Sequence, residues 1–255
     1  MAPSTQHGGT ARARPDRPAA KPLPRTVQRG TTVAAGIYRD LRADIVSARR
    51  KPGDPITEKQ IAEAYGVSRT PVREAVLKLA DEGLIEIFPQ SGTFVSRIPV
   101  AALPEATVIR KALEQATVRL AAARATRSQV TELHACLERQ RECETAGDVD
   151  GFHESDEAFH ALIAEIAGYP GFWTLTQQVK VQVDRCRRLT LPVSVDIGKV
   201  IAEHEAITNA IADRDPESAA QSLSRHLDGL RLTIDDFRHA APVYFSGSPD
   251  ECDWG

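Results

Sequence analysis

Arg69 and Arg73 stand four positions apart, a spacing that puts both guanidiniums on one face of a helix. From there they could pair with guanine edges or clamp phosphates in a DNA groove. A second set of residues suggests different chemistry. Asp156 and His160 are also four apart, and His204 and His226 lie eleven residues on either side of Asp215. If Asp215 occupies the turn of an antiparallel helical hairpin, residues equidistant from it stand at the same height. The two imidazoles could then face each other. Three imidazoles with one carboxylate suit zinc, nickel, manganese or iron, and leave positions open on an ion of higher coordination number. Neither set is specific by itself. Arginines on helices are mostly solvated, and a lone Asp-x-x-x-His is an ordinary pair.

Both sets need elements to hold them in place. Thr57 and Gln60 have the spacing of a capping box, and Ile61, Ala64 and Tyr65 form a short apolar stripe at helical spacing. Gly66 can take the left-handed conformation that closes a helix. Ser68 or Thr70 can cap the next helix, with Pro71 tolerated in its first turn. Val72, Ala75, Val76, Leu79 and Ala80 make that helix's buried stripe, and Gly83 ends it. The runs Leu84–Phe88 and Thr93–Ser96 read as a hairpin around Pro89-Gln90-Ser91-Gly92. Two short helices, a tight turn and a two-stranded wing follow from this order.

The stretch Gly66-Val67-Ser68-Arg69-Thr70-Pro71-Val72-Arg73-Glu74-Ala75, followed by Leu79-Ala80-Asp81-Glu82-Gly83-Leu84-Ile85, resembles the winged helix-turn-helix of the GntR family of bacterial transcription regulators. The resemblance covers roughly residues 33–98. It implies DNA contacts by Arg69, Thr70 and Arg73 on the recognition helix, by Lys59 on the helix before it, and by Gly92 at the wing tip. Many relatives carry a basic or larger polar residue where this chain has Ser91, which points to a weaker minor-groove contact.

The charge distribution fits a DNA reader joined to something else. The formal net charge of −3 does not suggest nucleic acid, but residues 1–30 carry +5, residues 31–98 carry +1 and residues 99–255 carry −9. The first thirty residues, rich in Pro, Arg, Gly and Ala, read as a disordered basic tail without the apolar core of a secretion signal. Ala241–Gly255 also reads as a flexible tail. No stretch is long and apolar enough to span a bilayer. Cys136, Cys143, Cys186 and Cys252 show no C-x-x-C pairing, which implies a reducing, cytoplasmic setting.

Between these ends the chain divides into a DNA-binding domain over 31–98 and a helical domain over 99–240. In the second, helices are predicted near 103–125, 128–146, 152–167, 170–191, 195–213 and 216–238. The fold class is therefore mainly α: a winged helix-turn-helix with a small β wing, then an all-helical bundle of about six helices. The segments Phe152–His160, Glu203–Ile207 and Ala219–Leu227 resemble the effector domain of the FadR-like branch, the FCD domain. Many of its members bind a divalent metal through one aspartate and three histidines, which match Asp156, His160, His204 and His226. Six helices rather than seven suggest the shorter, VanR-like subgroup. Val108–Glu114 resembles the first effector helix, and Arg110 matches an arginine that holds a small organic acid, a carboxylate grip that a guanidinium makes in a bidentate fork. The alternative for Arg110 is a pair with Glu114 along the helix. His153, one turn from Asp156, is the stand-in should a ligand be misassigned.

These readings converge on a homodimeric repressor that binds a palindromic operator and answers to a small carboxylate at a metal centre. No catalytic constellation is found. Three rivals stay open: a direct metal sensor, a metalloenzyme fused to a DNA-binding module, and a metal with a purely structural role.

Overall fold

The computed structural model describes residues 32–194 and 196–247. The basic N-terminal tail, Cys252 and the last residues of the expected C-terminal tail lie outside these.

The head begins with α1 (Val33–Val46), whose N-cap Thr32 accepts a bond from the Ala35 amide at 3.2 Å. Next come β1 (Pro55–Ile56), α2 (Glu58–Tyr65), α3 (Arg69–Asp81), β2 (Ile85–Phe88) and β3 (Gly92–Val95). The wing is a three-stranded antiparallel sheet in the order β1-β3-β2, with Ile56 opposite Thr93 and Ile87 opposite Thr93 from the other side. Strand β1 was not legible, because two residues carry no periodicity. Its pairing also sets how the chain enters α2. Thr57 is the N-cap there, yet its side chain makes no capping bond, so the expected capping box is absent. Gly66 closes α2 at φ 65°, a conformation that costs glycine little. Ile37, Leu41 and Ile45 of α1 pack on Val72, Val76 and Leu79 of α3, which fixes α3 by one face and leaves the other to solvent.

The body is a bundle of α4 (Ala102–Arg124), α5 (Arg127–Ala146), α6 (Val149–Ile166), α7 (Pro170–Val179), α8 (Val181–Ser194), α9 (Ile197–Ala212) and α10 (Pro216–Ala240). A full capping box starts α5: Thr126 and Gln129 each accept the other's backbone amide. The expected helix over 170–191 is two helices, because the chain turns at Lys180. No proline or glycine marks this break. Instead the buried Lys180 ammonium sits 2.6 Å from Asp184 and 2.7 Å from Glu157, the second a contact that only the folded bundle supplies. Among the described residues the body thus has seven helices, and the shorter subgroup, inferred from six, loses that support. Leu133, Leu137, Phe159, Ile163, Ile207 and Leu223 centre its core. No helix among the described residues is long and apolar enough to cross a membrane.

Head and body meet over a third apolar cluster that includes Ile98, Val100, Leu103, Val183, Cys186 and Phe245. Here the expected flexible tail is corrected. A 3-10 turn (Pro242–Tyr244) leads into β5 (Phe245–Ser246), which pairs in parallel with β4 (Ile98–Pro99) of the inter-domain connection. The Val100 amide donates to the Ser246 carbonyl at 3.0 Å. Phe245 orders this segment by burying its ring among residues nearly 150 positions away, a contact that local sequence cannot announce. Phe245→Ala is expected to cost about 3 kcal/mol, read as a lowered urea midpoint.

Candidate metal centre and nucleic-acid interface

Helix α6 presents Asp156 and His160 one turn apart, α9 presents His204, and α10 presents His226. All four are buried, and one ligand atom from each lies within 4.8 Å of the others. The α9–α10 hairpin does what its symmetry about Asp215 suggests. His204 Nε2 and His226 Nε2 are 3.3 Å apart, with ring centroids 4.5 Å apart. Asp215 fastens the turn by accepting from the Ser218 amide and hydroxyl. Aromatic neighbours hold the rings: Phe159 stacks on His204 with centroids 4.4 Å apart, and Trp173 lies nearly parallel to His160.

The outer nitrogens are occupied by acceptors, which decides what the inner ones offer. His204 Nδ1 lies 2.9 Å from Gln140 Oε1, His226 Nδ1 lies 3.0 Å from Glu203 Oε2, and His160 Nδ1 lies 2.6 Å from Glu114 Oε2. An oxygen that can only accept requires the proton on Nδ1, so the Nε2 atoms of His204 and His226 turn lone pairs inward. Two such lone pairs 3.3 Å apart repel. Neither ring nitrogen of His160 makes a hydrogen bond, although Nδ1 lies close to Glu114. Burial, reinforced by the neighbouring imidazoles, holds the His204 pKa well below 6.5 and lowers that of His226 to about 3, so a shared proton does not resolve the clash. A divalent cation accepting all three nitrogens and an Asp156 oxygen does, and the donor set fits the ions named above.

Residues that the sequence did not single out complete the site. Arg187 of α8 donates to both Asp156 oxygens, at 2.9 and 3.0 Å. Burial pushes the Asp156 carboxyl up, but Arg187 and two imidazoles outweigh that and hold it well below the usual carboxylate range. Gln140 and Trp173 were also missed. For Arg187 the signal was present but ambiguous, since Asp184-Arg185-Cys186-Arg187-Arg188 reads as a charged run whose inward members cannot be chosen without the bundle. Arg110 is buried beside the cage and pairs with Glu114 at 2.6 Å, while its Nη2 finds no partner. The weighed alternative, the pair along the helix, is therefore real, but it leaves a buried donor to spare. His153 is buried with Nε2 unpartnered and is not brought into the cage.

These groups set a pH dependence for the ion-free protein. An unfolded imidazole binds a proton near pH 6.5, whereas folded His226 does not until about 3. The unfolded state therefore binds more protons in that window, and stability is lost as pH drops through it. Asp156, whose folded pKa is depressed, adds loss of the same sign once pH drops below the ordinary carboxylate value. Chelator-treated protein is expected to melt at steadily lower temperature from pH 7 to pH 4.

In the head, Lys59, Arg69, Thr70 and Arg73 are all exposed, with Lys59 only 3.8 Å from the equally exposed Glu63. Val72, Ala75, Val76 and Leu79 bury the opposite side of α3, which turns the face of Arg69 and Arg73 outward. Gly92 closes the wing turn at φ 122°, and a Cβ there would press on the Phe94 ring at 3.3 Å. Strain and contact together favour glycine at this tip.

Comparison with known proteins bears on both halves. Residues 33–95 match the model for bacterial regulatory proteins of the gntR family, and residues 105–229 match the FCD domain. The chain is 35% identical over 210 residues to the HTH-type transcriptional repressor RspR of Escherichia coli, spanning 82% of this chain and 92% of that protein. It is 34% identical over 217 residues to an HTH-type transcriptional regulator of Streptomyces ambofaciens, spanning 85% and 91%. Among solved structures, E. coli McbR/YncC shares the fold with a TM-score of 0.70 at 22% identity, covering 81% of this chain and 99% of that one.

Proposed function

This chain belongs to the GntR family of transcriptional regulators, in the branch with an FCD domain, and on that premise we propose that it is a homodimeric, cytoplasmic repressor released from a palindromic operator by a small carboxylate bound at a metal centre. Lys59, Arg69, Thr70, Arg73 and Gly92 would contact DNA. Asp156, His160, His204 and His226 would hold a divalent ion, and Arg110 the carboxylate. The observation that carries the reading is the pair of inward Nε2 lone pairs of His204 and His226, 3.3 Å apart with both Nδ1 positions taken. Two buried acceptors this close are costly, and a bound cation would relieve them. An ion bound there supplies Lewis acidity and open coordination positions. The unpartnered Nη2 of Arg110 supplies a donor for a carboxylate beside them.

RspR is named a transcriptional repressor, and so is a relative 29% identical over 197 residues, the probable D-xylose utilization operon transcriptional repressor of Paenarthrobacter nicotinovorans. The relatives are regulators, which favours a sensor over an enzyme. A thermal-shift screen of small carboxylates on metal-loaded protein tests the reading, since a ligand raises the melting temperature of the state it binds. Stabilisation by a carboxylate should vanish after chelation and in Arg110→Met. Stabilisation by metal alone, with no carboxylate adding to it, would favour a direct metal sensor.

A further inference from the structure

Helix α8 touches the cage and the head at the same time. Arg187 leaves it toward Asp156, and Arg185, two positions earlier, leaves it toward the head. Two residues on an α-helix are about 200° of rotation, so the two guanidiniums emerge from opposite sides and α8 is held between their targets. Arg185 Nη1 donates to Ser96 Oγ at 3.1 Å, and Nη2 donates to the Ser96 carbonyl. Ser96 directly follows β3. Its amide donates to the Leu84 carbonyl at 3.0 Å and its hydroxyl to the Gly83 carbonyl at 2.6 Å, which ties it to the root of the wing. Val181 at the start of α8 packs against the head's core.

Two features set this clamp apart from ordinary packing. Arg185 is 1% exposed, yet among the described residues no carboxylate lies within ion-pair distance of it, and its Nε has no partner. Burying a cation on neutral oxygens is costly, and apolar packing would hold a static joint more cheaply. Elsewhere along the same joint, an open cleft of about 350 Å³ separates Ala43 and Val46 of α1 from His153, Glu157 and Asp184 on α6 and α8. The joint is therefore pinned at Ser96 and left open between α1 and α6.

We propose that α8 couples the cage to the DNA-binding head, with Arg187 registering how Asp156 is engaged and Arg185 passing the displacement to the wing through Ser96. The proposal rests on the ion-binding reading of the cage. In the structure both Asp156 oxygens serve Arg187. Once that carboxylate is shared with a divalent ion, two cations compete for one negative charge and repel each other. Arg187 then loosens, α8 loses its anchor on the cage side, and the Ser96 clamp on its other side shifts. Arg185 and Arg187 are positioning residues in this scheme, and neither needs to touch DNA.

The test is hydrogen exchange of full-length protein, titrated in parallel by calorimetry with zinc alone. In the natural chain zinc should bind and exchange at the Val95 and Ser96 amides should rise several-fold. In Arg185→Met zinc affinity should stay close to that of the natural chain, while those amides exchange quickly whether or not zinc is present. If Arg185→Met does not fold, Ser96→Ala, which removes only the hydroxyl contact, should shrink the zinc response. Zinc binding with no change at Val95 and Ser96 overturns the coupling and leaves the cage standing. A full response in Arg185→Met, or an undiminished one in Ser96→Ala, also overturns it. Absence of any zinc binding overturns the cage and the coupling together.

Discussion

Protein in which His204 and His226 are both alanine is expected to carry no divalent ion after metal loading and desalting, where the natural chain retains one. A four-ligand zinc site in a small domain is worth about 10–16 kcal/mol at neutral pH, so losing half the ligands removes about 5–8 kcal/mol. That is about a 10⁴- to 10⁶-fold loss of affinity, beyond what desalting tolerates. Gln140, buried behind His204, is left without its partner at about 1–3 kcal/mol, so helix content has to be followed by circular dichroism. Glu203→Ala gives a graded control. Glu203 is partly exposed and meets the far nitrogen of His226, so its loss should weaken metal about 10–100-fold without threatening the fold. Elemental analysis reads both variants. An ion retained at the natural stoichiometry in the double variant would place the metal elsewhere.

How much of this site could be read in advance depended on whether its partners were neighbours along the chain. His204 and His226 announce their meeting because a hairpin maps equal distances from its turn onto equal heights, and the 3.3 Å separation follows from that symmetry. Asp156 and His160 share a helical face by spacing alone. Arg187 meets Asp156 across 31 positions and one intervening helix, and nothing local distinguishes it from Arg185 or Arg188. The break at Lys180 and the strand at Phe245 were hidden for the same reason. An ammonium between Glu157 and Asp184 and a ring sunk beside Ile98 exist only once distant helices have met. The head was more legible, since its turn glycines Gly66 and Gly83 mark positive φ and its apolar stripe on α3 is periodic. Even there, the capping box at Thr57 yielded to the strand that precedes it. Local chemistry forecasts elements, and pairing across the fold decides which of their side chains work.

For the head, the sharpest expectation concerns Arg73. It lies exposed on α3, and no acidic side chain among the described residues engages it, so Arg73→Ala should leave the melting temperature within a degree or so of the natural chain's. Its effect should fall on DNA. A guanidinium forked onto a guanine is worth about 1–3 kcal/mol of recognition. In a symmetric dimer the loss is counted in both half-sites, about 2–6 kcal/mol in all. Fluorescence anisotropy at fixed salt, on an operator recovered by selection from random duplexes, should show this as a collapse in affinity. The salt dependence then separates two roles. If Arg73 clamps phosphate, the variant loses affinity for every sequence alike, and the slope of log K against log salt falls by about 1 per contact. If it reads a base, the slope is kept and discrimination at one position of each half-site is lost. Unchanged affinity and unchanged slope would remove Arg73 from the interface and leave α3 without its central reader.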